Sequence, residues 1–226
     1  MPLVDQCQGA MRIKAGELAK LKFDNTQVKN FGGVICNINI DTSDVNSAKK
    51  IKAIESALTK IHAKGYTLPA SITFYLADGE TVVPGFEKFG RSKAPTKAYS
   101  RDEKGNDAAI VFLGRNSTPQ PPNPAMQDLN GIANKLGSLV PAGFTAMVAA
   151  HEIGHVLHEY HQPGVSFGDI NLDSGQRETA KKHISAYASA NKLEVVAEVF
   201  CAHIYDWKLT AEADKLYAAC GGPPLK

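Results

Sequence analysis

The stretch TAMVAAHEIGHVLHEYH, residues 145–161, predicts a buried helix that carries two histidines and a glutamate near one face. It is rich in strong helix formers, and no proline interrupts it. Residues four apart share a face of a helix, so His151 and His155 can close on one metal ion. Glu152 then lies beside the open coordination position, where it can take a proton from water. Burying these three side chains would be costly without a metal or other partners.

Residues 151–155 form the motif His-Glu-x-x-His. A helix with this motif is the core of zinc metallopeptidases, in which zinc needs a third protein ligand. The candidates for this ligand are His161, Asp169, Asp173 and Glu194. His161 has metzincin spacing. However, His158 stands where metzincins carry the glycine that ends the helix, and no methionine follows Met147 to form their methionine turn. The metzincin interpretation is therefore rejected, and the surroundings of Asp169 and Asp173 match no recognised pattern.

The stretch NKLEVVAEVF, residues 191–200, predicts a second buried helix and offers the better ligand. Asn191 can cap this helix, with Glu194 at the third helical position. Glu194 and Glu198 are four apart and share a face, while apolar residues flank them. We expect Glu194 to bind the metal and Glu198 to accept a hydrogen bond from a ligand histidine, which would fix its tautomer. The alternative is a surface helix whose glutamates face water.

Together, the motif at residues 151–155, Tyr187, Glu194 and Glu198 resemble the catalytic domain of anthrax lethal factor and its relatives, the secreted Pro-Pro endopeptidases. In that family a tyrosine lies seven residues before the zinc-binding glutamate, and a second glutamate follows four residues after it. The resemblance covers roughly residues 145–200. It implies a Zn2+ site in which Tyr187 donates a hydrogen bond to the developing oxyanion. The histidine-rich residues 158–161 depart from the family and leave a second, weaker metal site open.

The order of the predicted elements is typical of an α+β, zincin-like protein. In such a fold a small mixed sheet lies over a helical half that contains the motif helix and the glutamate-bearing helix. The other predicted elements are strands at residues 34–40, 71–76, 97–101 and 108–113 and helices at residues 45–64, 128–139 and 210–219. We expect an N-terminal extension, residues 1–30, followed by a metallopeptidase domain, residues 31–226. Trp207 is expected in the core, and His203 is expected to be structural or to lie at the surface.

Residues 108–114 are the candidate for the strand that binds substrate. Zincins hold an extended peptide against an edge strand above the metal, and this apolar segment is the last predicted strand before the motif helix. A continuous apolar run equally fits a central strand that is buried on both faces. The sequence leaves both interpretations open. His183, which precedes Tyr187, is a further candidate to line the cleft.

Composition and charge limit the classes of partner. A formal net charge of +2 over 226 residues gives no argument for nucleic-acid binding, and no apolar run predicts a membrane span. Residues 1–5 lack the features of a signal peptide, so we expect a cytosolic protein, export by another route, or a domain cut from a longer chain. The cysteines leave two disulfides open, Cys7–Cys36 and Cys201–Cys220.

The sequence therefore predicts a zinc-dependent endopeptidase that acts on a protein or peptide substrate. Its metal ligands would be His151, His155 and Glu194, with Glu152 as general base. The family resemblance implies a secreted protease or toxin effector, whose partners would include a secretion machinery or an immunity protein. Two alternatives remain: a non-catalytic binding module stabilised by zinc, and a metal-dependent amidase acting on a non-protein amide. Glu152 and Tyr187 favour catalysis, because neither residue is needed to hold a metal.

Overall fold

The described part of the chain folds into one five-stranded mixed sheet and five α-helices. The computed structural model describes residues 23–42, 44–76, 96–100, 108–112, 132, 143–165 and 168–226. The strands are β1 (Asn25–Phe31), β2 (Val34–Ile40), β3 (Ser71–Leu76), β4 (Thr96–Ser100) and β5 (Ala108–Phe112). The helices are α1 (Ser47–Ala63), α2 (Gly143–His161), α3 (Ser174–His183), α4 (Lys192–Ile204) and α5 (Ala211–Ala219). The protein is thus of mixed α+β class, as the sequence predicts.

The strand order β1-β2-β3-β5-β4 places an antiparallel strand at each edge of a parallel centre. β5 pairs with β3 on one side and with β4 on the other. The expectation that residues 108–114 form a substrate-binding edge is therefore wrong for the described residues 108–112, and the central-strand alternative is correct. The strand predicted at residues 97–101 forms the edge instead, as β4.

The core lies between one face of the sheet and the helices. Alternate residues of β2 are buried, from Val34 through Cys36 and Ile38 to Ile40, as strand periodicity requires. Apolar residues of α1 meet this face because they recur at helical spacing. The fully buried members of that stripe are Ile54, Leu58 and Ile61. Burying each such side chain stabilises the fold by about 1.5–3 kcal/mol relative to its exposure.

A tight hairpin that the sequence analysis did not predict joins β1 to β2. Its two turn residues, Gly32 and Gly33, have φ angles of 57° and 81°, which glycine adopts without strain. A Cβ on Gly32 would also lie 2.7 Å from the carbonyl oxygen of Leu58. The sheet begins at Asn25 and so includes residues on both sides of the predicted domain boundary at residue 31.

Outside the site, the sequence made predictions for Trp207, for the cysteines and for a helix at residues 128–139. Trp207 is 45% exposed, so its placement in the core is wrong. Cys36, Cys201 and Cys220 are buried and free, so the Cys201–Cys220 disulfide is not formed, whereas Cys7 lies outside the described residues. The predicted helix at residues 128–139 also lies outside them, except for the helical Ile132. No described helix is both long enough and apolar enough to span a bilayer.

Candidate metal centre

Helix α2 brings His151 and His155 side by side. It packs against α1, α4 and β4. The two imidazole rings meet edge to face, with centroids 4.9 Å apart. His151 is buried and His155 is half-buried. The helix continues without a break to His161, so position 158 is helical and the metzincin exit from the helix does not occur.

Helix α4 presents Glu194 to both histidines. The Asn191 side chain accepts a hydrogen bond from the Glu194 amide at 3.0 Å, which caps the helix as predicted. Glu194 Oε2 lies 3.2 Å from Nε2 of His151 and 3.5 Å from Nε2 of His155. This oxygen is buried but accepts no hydrogen bond of good geometry, so the three donor atoms converge without satisfying one another. The group His151, His155 and Glu194 can hold a metal ion.

Gly154, the residue directly before His155, allows α4 to approach this closely. A Cβ on Gly154 would lie 3.0 Å from the Phe200 ring and 3.2 Å from Cα of Ala197. Both contacts are tighter than ordinary van der Waals packing. The absence of a side chain at Gly154 therefore sets the spacing between α2 and α4, and with it the distance from the histidines to Glu194.

Glu198 lies one turn further along α4 and contacts the far side of His151. Its Oε1 is 2.9 Å from Nδ1 of His151, so the carboxylate can accept the Nδ1 proton and leave Nε2 free to face Glu194. Its Oε2 accepts hydrogen bonds from the Ser185 hydroxyl at 2.8 Å and from the Ile132 amide at 2.5 Å. The carboxylate is thus held on both oxygens, and its contact with Nδ1 of His151 is the hydrogen bond to a candidate ligand histidine that the sequence predicts.

The charges of the site are strongly coupled. Burial alone would lower the pKa of His151, but the carboxylates of Glu194 and Glu198 outweigh it and hold that pKa well above its usual value. Burial alone would raise the pKa of Glu194, but His155 and His151 outweigh it and hold that pKa well below its usual value. An anionic carboxylate that faces two imidazoles is a donor set suited to a divalent cation.

Glu152 and Tyr187 complete the site without belonging to the donor group. Glu152 is buried next to His151 on α2. The Tyr187 ring centroid lies 5.9 Å from that of His151, and the tyrosine is 43% exposed, so a ligand can reach it. Partial burial and the carboxylates of Glu194, Glu152 and Glu198 raise the pKa of Tyr187. The phenol is therefore protonated at neutral pH and can donate a hydrogen bond.

The other candidate ligands have different partners. Asp173 caps α3 through a capping box with Gln176, and Asp169 accepts hydrogen bonds from Asn171. His161 is exposed at the end of α2. Within the described residues, the only donor group suited to a metal is the one formed by His151, His155 and Glu194, and residues 158–161 form no second group.

Two further histidines make hydrogen bonds to groups outside the site. His183 bonds through Nδ1 to the Thr210 hydroxyl at 3.0 Å, which ties the end of α3 to the start of α5. His203 bonds through Nε2 to the Lys226 carbonyl at 2.5 Å and packs edge-on against the Tyr66 ring. These contacts agree with the expectation that His203 is structural or lies at the surface.

The sequence analysis missed two groups of the site, the Ser185 hydroxyl and the Ile132 amide, which both support Glu198. Ser185 lies two residues before Tyr187 in a turn without a recognisable motif, and a backbone amide carries no sequence signal at all. Only their approach in the folded chain reveals them. In comparisons with known proteins, no protein-family model, no curated protein and no solved structure matches this chain significantly.

Proposed function

We propose that this protein is a zinc-dependent endopeptidase of zincin-like fold. The observation that carries the proposal is the convergence of His151, His155 and Glu194 beside Glu152 and Tyr187. Donor atoms around tetrahedral zinc lie roughly 3.3 Å apart, given zinc–ligand distances near 2.0–2.1 Å. The separations of 3.2 and 3.5 Å between Glu194 Oε2 and the two imidazole nitrogens agree with that value. Two nitrogens and one oxygen, with a position left for substrate, are also the donor set of many catalytic zinc sites.

Glu152 is the general base of the proposed reaction. When bound, zinc supplies Lewis-acid activation of water and of the scissile carbonyl. Glu152 takes a proton from the attacking water and returns it to the leaving amine. Its place next to His151 on α2 supports this role, because the helix fixes the carboxylate beside the metal ligands. A protein that only stored or was stabilised by zinc would not need a glutamate at this position.

Tyr187 is the proposed hydrogen-bond donor to the oxyanion. Its phenol is protonated at neutral pH and lies beside His151, on the exposed side of the site. A donor placed where negative charge develops lowers the barrier of acyl-transfer reactions by roughly 2.7–4 kcal/mol. The role of secreted protease or delivered toxin effector is proposed from the resemblance to lethal-factor-like peptidases, and it implies a host or competitor protein as substrate.

The test separates catalysis from metal binding. Glu152→Gln should keep about one zinc per chain and should lower peptide cleavage at least about a hundredfold, because a general base contributes roughly 10²–10⁴-fold. Cleavage is measured by incubating the protein with a denatured cell proteome and counting new N-termini. Glu178→Gln, an exposed carboxylate of α3, is the control that should change neither property. Zinc binding without any new N-termini in the wild type would favour a binding module, and wild-type cleavage by Glu152→Gln would reject the proposal.

A further inference from the structure

The Ser185 side chain is fully buried and joins two parts of the site through one oxygen. Its hydroxyl donates to Glu198 Oε2 at 2.8 Å and accepts from the Ala188 amide at 3.0 Å. A serine hydroxyl has one proton to donate, so its orientation is fixed when that proton is committed to a carboxylate. The lone pairs then point away from Glu198 and can accept from the Ala188 amide.

On the metal side, Ser185 restrains the carboxylate that restrains His151. Glu198 holds Nδ1 of His151 with one oxygen and is held by Ser185 and the Ile132 amide with the other. Groups behind a metal ligand set the orientation of its ring and the basicity of its donor atom. Loss of the Ser185 bond would leave Glu198 Oε2 with one donor in place of two.

On the tyrosine side, Ser185 closes the turn that carries Tyr187. The Ala188 amide, the next one along the chain after Tyr187, donates to the Ser185 hydroxyl. A short 3-10 turn, Ala188–Ala190, continues directly into the cap of α4. Tyr187 therefore lies between Ser185, whose hydroxyl is bonded to Glu198, and Ala188, whose amide is bonded back to Ser185. Its position relative to His151 depends on that closure.

We propose that Ser185 is a positioning residue that couples the orientation of His151 to the placement of Tyr187. The inference rests on the proposed function, because it assigns Tyr187 a part in turnover. It differs from simple packing in one respect: removal of a single hydroxyl should affect two separable properties, metal affinity through Glu198 and turnover through the Tyr187 turn.

Ser189 provides the matched control. It lies in the same turn, and its hydroxyl donates to the Ala186 carbonyl at 2.6 Å. Neither hydroxyl contacts a proposed metal ligand directly, and each holds the turn by a short-range bond. Only Ser185 also contacts Glu198. If the turn is only weakened in general, Ser185→Ala and Ser189→Ala should change zinc affinity and kcat alike. If Ser185 couples His151 to Tyr187, only Ser185→Ala should change them.

The first measurement is zinc affinity by competition with a chromophoric chelator, together with the visible spectrum of the cobalt(II)-substituted protein. Ser185→Ala should bind zinc roughly three- to tenfold more weakly, somewhat less than the ten- to hundredfold loss typical of a direct partner of a ligand. Its cobalt spectrum should change, because the donor geometry changes. In a Glu198→Gln background the same substitution should have a smaller effect. Ser189→Ala should match the wild type in both measurements.

The second measurement is kcat at saturating zinc, with a peptide taken from the proteome digestion. Ser185→Ala should lower kcat about tenfold. In a Tyr187→Phe background it should lower kcat no further, because the hydroxyl that it positions is already absent. An equal loss in both backgrounds would contradict the coupling to Tyr187.

The outcomes for the inference and for the proposed function are distinguishable. If the wild type binds zinc but cleaves no peptide, the proposed function fails, and the zinc affinity and cobalt spectrum of Ser185→Ala still decide the metal side of the coupling. If Ser185→Ala does not fold, Ser185→Thr and Ser185→Cys replace it, since only threonine keeps a strong hydroxyl donor. Equal zinc affinity in Ser185→Ala and Ser189→Ala, or in the threonine and cysteine variants, would overturn the inference.

Discussion

His158 should dominate the acid sensitivity of the folded protein. Burial, and after it the neighbouring imidazole of His155, lower its pKa from 6.5 to about 4, although the nearby Cys220 backbone acts in the opposite direction. Neither ring nitrogen makes a hydrogen bond of good geometry. Because the fold favours the neutral ring, the associated stability is complete above pH 6.5 and is lost as the pH falls towards 4. This preference for the neutral ring contributes about 3 kcal/mol to the free energy of unfolding above pH 6.5.

The predicted comparison is between His158→Phe and the wild type. The wild type should lose unfolding free energy steeply between pH 6.5 and 4, whereas the variant should lose about 3 kcal/mol less over that interval. Denaturant unfolding is followed at each pH in the presence of a chelator, so that metal release does not contribute. His62→Gln, at an exposed position of α1, should keep the wild-type slope. A wild-type slope in His158→Phe would show that other groups govern acid unfolding.

At the scale of elements, the close contact between α2 and α4 should be sensitive to a single methyl group. Gly154→Ala gains up to about 1 kcal/mol of helix propensity. It also places a Cβ within 3.2 Å of the backbone of Ala197, which cannot rotate away. Overpacking of this kind costs about 1–3 kcal/mol, so we expect a net loss of stability. Because α4 carries Glu194, zinc affinity should fall as well.

The matched substitution is Gly175→Ala in α3, where the new Cβ would meet the Asp173 side chain at an ordinary 3.4 Å. It should be neutral or slightly stabilising, with unchanged zinc affinity. Thermal unfolding and chelator competition measure both properties. A Gly154→Ala protein that is more stable than the wild type and binds zinc equally well would show that the helices separate without cost.

The helices differ in how far the sequence could predict them. α2 and α4 carry continuous apolar runs, and Asn191 gives a cap that fixes the start of α4, so their existence and type follow from pattern alone. α3 has a single buried residue, Ala180, and its only signal is the capping box from Asp173 to Gln176. Trp207 was wrongly expected in the core. It lies beyond the end of α4, where no hydrophobic periodicity indicates whether a side chain is buried or exposed.

At the scale of the whole molecule, the sheet presents β4 as the edge that lies beside α2. Under the proposed function, an extended substrate would pair with β4 above the metal ligands. Backbone N–H groups on a strand alternate in direction, so one of two adjacent residues points away from β5. Of Lys97→Pro and Ala98→Pro, one should therefore raise KM roughly three- to tenfold without loss of stability, the scale of one hydrogen bond.

Equivalent substitutions in β1 at the opposite edge, Gln27→Pro and Val28→Pro, are the controls and should leave KM unchanged. KM is measured with a cleaved peptide, and stability by thermal unfolding. If the β4 variants fold and neither of them raises KM, substrate does not pair with this edge.

The edge could not be identified from the sequence because strand order is a tertiary property. The apolar run at residues 108–112 fits a strand with two neighbours as well as a strand with one. The candidate donor group of His151, His155 and Glu194 was predictable for the opposite reason, since spacing along each helix fixes which side chains share a face. Ser185 and the Ile132 amide reach Glu198 from separate segments, and no local pattern records that approach.

The order of these residues along the chain has a consequence for how the protein can evolve. Under the proposed function, the side chains for metal binding, proton transfer and their support lie between His151 and Glu198, whereas the edge strand β4 is encoded at residues 96–100. A recombination event between these two stretches of the gene could replace the edge and retain the chemistry. Within such a lineage, if the proposed function holds, preference for a peptide and competence to cut it would diversify separately.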